Sequence, residues 1–368
     1  MPTSGDASKG PVPKSGTIES YNLLALDGGG VRGISSMIIL KKIMDRVQEV
    51  EYERAVVKNK PVDHEERRPV DYFDLAAGTS TGGLIALMLF RLNMKCSEVI
   101  AQYDNLAKQV FSPKLGSIPL HQFGVLGKFV GDIWLKFKAF TGQSQFSHRP
   151  LEQVIDVVVA AFPLDEEDRE KKGDAALVKE SQVTAGAQDL DFNTITIKEA
   201  ARATSAAPTY LKEVDIQGLK FWDGGLLNNN PIDQVWDNRG DLVSREAKNP
   251  RIKCIVSLGT THPEHESSIR PGRGISRFFN TITKTVAFAT NTEAKHRDFD
   301  RNMRQHNRRR PENQTAYFRF NAPTDNEQID LGDYLRMPKL VQYTEEYLTR
   351  PEVDNSINEC AEILAKRV

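Results

Sequence analysis

Three short apolar runs in this chain each end in a glycine turn, and that pattern limits the fold more than any other feature. Tyr21–Leu26 runs into Asp27-Gly28-Gly29-Gly30, Val70–Ala77 into Gly78-Thr79-Ser80-Thr81-Gly82, and Leu219–Trp222 into Asp223-Gly224-Gly225. A buried strand that ends in a tight turn and hands over to a helix is the building unit of a parallel sheet. Ile34–Val50 supplies the helix after the first turn, with Met37, Leu40, Met44, Val47 and Val50 near helical spacing. Gly83–Phe90 supplies the helix after the second. Ser97–Val110, with Ser97 as N-cap, Arg149–Phe162 and Glu199–Ala207 read as further helices. Gln182–Gly186, Thr194–Ile197, Ile252–Leu258 and Ala316–Phe320 read as strands, and Glu51–Arg68 and Pro163–Lys179 as charged surface connections. This alternation predicts an α/β fold whose mostly parallel sheet is covered on both faces. Such sheets build sites beyond the carboxyl ends of their strands, so the three turns are expected to converge.

The second turn carries a nucleophile pattern. Gly78-Thr79-Ser80-Thr81-Gly82 fits G-x-S-x-G between a strand and a helix. A serine there has an exposed hydroxyl at the positive end of the helix, and Gly78 and Gly82 permit the close backbone approach. The geometry suits attack on an ester carbonyl.

The first turn, Asp27 to Gly33, has two readings. Consecutive glycines with unshielded N–H groups make an anion cradle, and Arg32 adds a fixed charge. For an esterase the anion is a tetrahedral oxyanion. Gly28-x-Gly30-x-x-Gly33 is also the dinucleotide fingerprint, which wants a second strand ending in an acid about 20 residues on. Here Gln48–Val57 is charged and helical in pattern. A third, plainer reading is an ordinary tight turn.

A serine hydroxyl needs a base. Asp223 follows an aromatic strand in a glycine turn, where desolvation by Trp222 would raise its basicity. His262 offers the alternative, because the order Ser80, Asp223, His262 matches that of α/β-hydrolases. His262 sits in a polar loop, and His64, His296 and His306 sit among charges and read as solvated.

Composition removes several classes of function. With 49 basic and 50 acidic residues the formal charge is -1, so no global field draws the chain to nucleic acid or anionic lipid. Mean hydropathy of -0.46 and the lack of any long uncharged apolar window argue for a soluble chain with at most peripheral membrane contact. Cys96, Cys254 and Cys360 are far apart and form no metal or redox motif, which favours a reducing, cytoplasmic setting. Residues 1–20 form a polar, loose tail without the apolar core of a signal peptide. Residues 21–262 form the core, and 263–368 a mostly helical extension packed on it. Within the core, 112–148 mixes glycines, aromatics and lysines. It reads as a lid or membrane-docking insertion, centred on Ser117–Thr141 with Trp134 and Phe137, or as helices on the core. The basic run Lys295–Arg310 reads as a solvated helix face, since Asp298 and Asp300 interrupt it.

The glycine loop Asp27–Gly33, the elbow Gly78–Gly82 and Asp223-Gly224-Gly225, in that order, resemble the patatin-like phospholipase family. Ala201–Pro208 and Leu226–Pro231 extend the resemblance, which covers roughly Tyr21 to Thr260. It implies a three-layer α/β/α sandwich and a Ser–Asp dyad without histidine. Ser80 would be the nucleophile and Asp223 the base, with Gly28, Gly29 and Gly30 N–H groups as the oxyanion hole supported by Arg32. Gly33, Gly78, Gly82, Gly224 and Gly225 would support these motifs. The implied substrates are acyl esters of phospholipids, lysophospholipids, galactolipids or neutral glycerides, hydrolysed without metal or cofactor and without nucleic-acid partners. A lipid-binding or regulatory module with a silent site is the alternative from another functional class.

Overall fold

The computed structural model describes residues 20–110, 147–177, 190–207, 210–243, 250–263, 292–325, 327 and 329–366, and the backbone of 114–115 and 118–119. The expected tail, the strand at Gln182–Gly186 and the 117–141 insertion lie outside the described residues, except that Ile118–Pro119 pairs antiparallel with Lys114–Leu115.

The longer strands, in chain order, are β1 (Ser20–Leu26), β2 (Leu75–Gly78), β3 (Val214–Ile216), β4 (Leu219–Phe221), β5 (Arg251–Leu258) and β6 (Ala316–Phe320). The helices are α1 (Gly33–Val57), α2 (Thr81–Ala86), α3 (Cys96–Val110), α4 (Arg149–Ala161), α5 (Glu166–Lys171), α6 (Ile197–Thr204), α7 (Ile232–Asp237), α8 (Thr292–Arg308), α9 (Met337–Leu348) and α10 (Pro351–Leu364). The central sheet has the order β2-β1-β5-β6, and all three of its pairings are parallel.

Period-two alternation splits the core into two faces. Leu24 and Leu26 of β1, Val256 and Leu258 of β5, and Phe318 and Phe320 of β6 join one apolar cluster with α1, α3, α9 and α10. Leu23, Ala25 and Ile255 join the other, with Ile232 and Val235 of α7 and Phe299 and Met303 of α8. The result is the expected three-layer α/β/α arrangement. Each fully buried leucine or isoleucine in it contributes roughly 1.5–3 kcal/mol.

Several sequence expectations need correction. β2 is only four residues long, because Pro69–Asp71 forms a 3-10 turn and Asp74 turns back to accept the Asn22 N–H. α1 runs on to Val57, and its Glu51 is buried with Arg67 and the Tyr72 hydroxyl rather than solvated. Ser97 lies inside α3 and bonds Glu66, while Glu98 caps the Lys95 N–H. The loop after α4 contains α5, capped by Asp165. Thr194–Ile197 is not a strand, since Thr196 and Glu199 form a capping box that starts α6. Among the described residues β4 pairs with β3 and not with the central sheet. The third glycine turn is therefore carried to the site by a hairpin and by an Asp223 N–H bond to the Ala206 carbonyl (3.0 Å). β6 extends the central sheet from within the C-terminal region, which is thus more than a cover.

Among the described residues no helix is long and apolar enough to cross a membrane. Leu24 is fully buried at the centre of the first cluster. Leu24→Ala should therefore cost about 2–5 kcal/mol of unfolding free energy by urea denaturation. Leu227→Ala, at a 92% exposed position, should stay within about 0.5 kcal/mol of the parent.

Candidate active site

Ser80 leaves β2 with φ 54° and ψ -124°, a conformation that side chains other than glycine rarely adopt. Such a residue stores roughly 1–3 kcal/mol of strain, which the surroundings must hold. The surroundings here are very close. A Cβ on Gly82 would strike the Leu26 carbonyl of β1, and one on Gly78 would strike the Gly82 carbonyl. The Thr79 N–H continues the ladder to the Leu26 oxygen (3.1 Å). Thr79 Oγ1 donates to the Asn228 carbonyl (2.8 Å), which joins the elbow to the chain beyond Asp223.

The glycine loop closes on the same place. The Gly28 N–H donates to the Asn229 carbonyl (3.0 Å), and Asn229 Nδ2 donates back to the Gly28 carbonyl (3.0 Å). Thr260 Oγ1 adds a second donor to that carbonyl (2.8 Å). A Cβ on Gly28 would collide with Asn229 Oδ1 and come within 3.1 Å of the Ser80 Cβ. The Gly28 N–H is thus a strut between loops rather than an open donor. The Gly29 N–H faces Thr81 Oγ1 at a long 3.3 Å. The Gly30 N–H meets no acceptor among the described residues, and Gly30 has φ +55°. The Tyr103 hydroxyl holds the Gly30 carbonyl, and the Val31 N–H is held by the Leu331 carbonyl (2.8 Å). Arg32 folds back to the Gly29 carbonyl through Nε (3.3 Å), and burial pulls its pKa below the ordinary value.

Asp223 is buried at the head of the turn Gly224–Leu226. Burial raises its carboxyl pKa above 3.8, against hydrogen bonds from the Ser80 side chain and the Gly225 N–H (2.7 Å) that lower it. No histidine is among the groups acting on Asp223. The main chain of His262 is fixed beyond β5, its backbone N–H on the Ala322 carbonyl (3.1 Å) and its carbonyl held by the Thr324 N–H (2.9 Å), and its ring acts on Glu293 rather than on Asp223. His296 is half-buried against the Tyr317 hydroxyl (3.0 Å) rather than solvated. His306 lies edge-on to Trp236.

Further polar groups at the site were not read from the sequence. They are Thr81, Tyr103 and Thr260 on the glycine loop, Thr204 on the Ser80 carbonyl (3.4 Å), and Arg319 on Asp27. Two of them left a trace. Tyr103 is the only hydroxyl on the buried stripe Val99–Tyr103–Leu106–Val110, and a buried phenol needs a partner. Arg319 is a charge inside an apolar strand, a pattern that almost always means an ion pair.

An apolar cavity begins one helical turn beyond Ser80. Leu84, Met88, Leu106, Val154, Val158 and Ala201 are among its walls, and every lining residue is aliphatic or methionine. Leu87–Arg91 continues α2 as a π-helical turn whose Leu87 and Met88 line the same cavity. Among the described residues no cluster of three or more His, Cys, Asp or Glu could hold a metal ion. Gln48–Val57 belongs to α1, so the acid-ended second strand that a dinucleotide fold wants is not there.

A strained serine elbow, a buried carboxylate and a glycine loop thus lie together at one end of an α/β/α sandwich. Comparison of sequences gives the family: a family model described as "Patatin-like phospholipase" matches residues 24–236, and the chain belongs to that family. The chain is 28% identical over 359 residues to "Calcium-independent phospholipase A2-gamma" of Rattus norvegicus, covering 94% of this chain and 40% of that protein. It is 28% identical over 297 residues to "Patatin-like protein 1" of Arabidopsis thaliana, covering 72% and 64%. It is also 28% identical over 222 residues to the "cGAMP-activated phospholipase" of Escherichia coli, covering 57% and 53%. The chain thus spans well under half the length of the mammalian relative.

Gly28 has no room for a side chain between Asn229 and Ser80. Gly28→Ala should yield a folded protein whose reaction with a fluorophosphonate probe is slowed at least about tenfold, since an ångström-scale misplacement is costly. Labelling at the parent rate would show that the loop does not need this contact.

Proposed function

We propose that this chain is a lipid acyl hydrolase that cleaves carboxylic esters with Ser80 as nucleophile and Asp223 as base. The observation that carries the reading is the strained Ser80 elbow set beside the buried carboxylate of Asp223, whose basicity burial raises. Asp223 accepts the hydroxyl proton as Ser80 Oγ attacks the ester carbonyl. The carbonyl oxygen becomes an oxyanion and settles on the Gly29 and Gly30 N–H groups, with Gly28 acting as the strut that sets their position. Collapse of the tetrahedral adduct expels the alcohol, which takes the proton back from Asp223. A water molecule, deprotonated by Asp223, then attacks the acyl-enzyme, and Ser80 Oγ takes that proton back from Asp223 as the fatty acid leaves.

The substrate class is read from the family rather than from a pocket, because the aliphatic cavity walled by Leu84 and Met88 holds only about 30 Å³. The names of the relatives point to phospholipids. Phospholipids, lysophospholipids, galactolipids and glycerides share the ester that this site would cleave, and the reading extends to all four. Contact with the lipid surface would be peripheral.

Ser80→Ala should remove ester hydrolysis by about 10⁴-fold or more. Asp223→Asn should lower it by about 10²–10⁴-fold, in a protein with unchanged circular dichroism. Full activity in either variant would contradict the assignment. His262→Ala should leave kcat near the parent value.

The pH profile follows from the same carboxylate. The base works only when ionised, so kcat/KM falls on the acid side as Asp223 takes up a proton. Because burial raises its pKa, the midpoint of that limb should lie above 3.8. His262→Ala should leave the limb where it is, whereas a histidine base would give a limb near about 6.5 that the substitution abolishes.

A further inference from the structure

We infer that Arg319, backed by Glu293, is a positioning residue for the oxyanion loop: it clamps the Asp27 carboxylate and so sets where the glycine N–H groups point. The inference rests on the catalytic reading above. It gives a role to a part of the chain beyond residues 24–236, the span of the family match.

The loop needs an external handle. Gly28, Gly29 and Gly30 have no side chains, so nothing of their own fixes their orientation. Asp27 is the last side chain before them. Its N–H still follows the sheet, donating to the Leu258 carbonyl (3.0 Å), so the chain departs from β1 just beyond this residue.

Register explains why the handle comes from β6. Ala25 pairs with Ser257, and Ser257 pairs with Arg319. Asp27 lies two residues beyond Ala25, on the same face. Three neighbouring strands thus place Asp27, Ser257 and Arg319 side by side beneath α8. The guanidinium grips both carboxylate oxygens, with Nη1 to Oδ1 at 3.0 Å and Nη2 to Oδ2 at 2.6 Å. Nη1 also donates to Ser257 Oγ (2.9 Å). Side-chain exposure is 4% for Arg319 and 0% for Asp27, so little solvent screens the pair.

Glu293 holds the guanidinium from behind. Its Oε1 accepts from Arg319 Nε (3.1 Å) and Nη2 (2.7 Å) and from Asn321 Nδ2 (2.8 Å). It sits in the first turn of α8, where the helix dipole favours a carboxylate. All five guanidinium N–H donors therefore face fixed oxygens. A two-point fork defines the rotation of the Asp27 side chain, which a single ammonium contact does not.

The test uses the full chain with Arg319→Lys and, separately, Asp27→Asn, which keeps the shape and leaves Arg319 paired with Glu293. Turnover of a soluble short-chain ester is measured with affinity for a trifluoromethyl ketone, which forms an anionic tetrahedral adduct with a nucleophilic serine. Each variant should lose roughly 10–100-fold in kcat with KM changed by less than about twofold, and should bind the ketone weaker by a similar factor. Hydrogen exchange read by mass spectrometry should rise at least about tenfold in the peptide spanning Asp27 to Val31, with α9 and α10 unchanged. A purely structural ion pair would raise exchange across the sheet and leave the ratio of ketone affinity to KM alone.

Retention of kcat and of parental exchange in a folded variant would overturn the inference. So would a kcat loss without a loss of ketone affinity, or failure of both variants to fold. Should the parent protein hydrolyse no ester, the catalytic reading fails by itself, and loop exchange alone then decides whether Arg319 is the clamp.

Discussion

The site depends on one steric constraint: the backbone of Gly28 lies between Ser80 and Asn229 with no space for another atom. That approach ties together three chain segments more than fifty residues apart. Asn229 bonds both the N–H and the carbonyl of Gly28, and Thr260 shares the carbonyl. Thr79 holds the carbonyl of Asn228. Each bond is an ordinary one, worth roughly 1 kcal/mol net. Together they hold the Ser80 backbone in a conformation it would leave if free, because the elbow is packed against the ends of β1 and β2.

Asp223 reaches this junction by a different route from the other two elements. It comes in on the β3–β4 hairpin, outside the central sheet, and is secured through the Ala206 carbonyl and its own bond to Gly225. Burial disfavours its charged form and so makes it a stronger base than a solvated aspartate, while the Ser80 hydrogen bond works in the opposite direction. A carboxylate in that balance is a better proton acceptor than one in open solvent. Arg319 and Asp27 show a contrasting arrangement on the neighbouring strands, where a buried carboxylate faces a guanidinium fork. On the proposed mechanism two aspartates in glycine turns do different work, one structural and one chemical, according to whether a cation faces them.

Much of this was legible in the sequence. The strands at Tyr21–Leu26, Ile252–Leu258 and Ala316–Phe320 are there almost to the residue, because each is an apolar run bounded by turn residues. Ser80 stands out because Gly78 and Gly82 flank it, and Asp223 because Gly224 and Gly225 follow it, which marks a close approach in each case. What was hidden depends on tertiary partners. Val70–Asp74 is apolar enough for a strand, yet Pro69 starts a turn there and Asp74 bonds back to β1. Glu51 looks solvated until Arg67 and Tyr72 are brought to it. Pairing of β4 with β3 alone follows from packing that local pattern does not encode. The Gly28 N–H looked like an open donor, because its acceptor, the Asn229 carbonyl, lies 201 residues away in the chain.

The central claim is that an oxyanion on Ser80 is received by the Gly29 and Gly30 N–H groups while Asp223 faces the nucleophile. A crystal structure of the protein after reaction with a fluorophosphonate tests it most directly, because the bound phosphonyl group mimics the tetrahedral intermediate. The account predicts phosphorus bonded to Ser80 Oγ, one phosphonyl oxygen about 2.7–3.1 Å from both glycine nitrogens, and the Asp223 carboxylate beside Oγ. Phosphorus on another residue, or a phosphonyl oxygen turned to solvent away from the glycine loop, would contradict it.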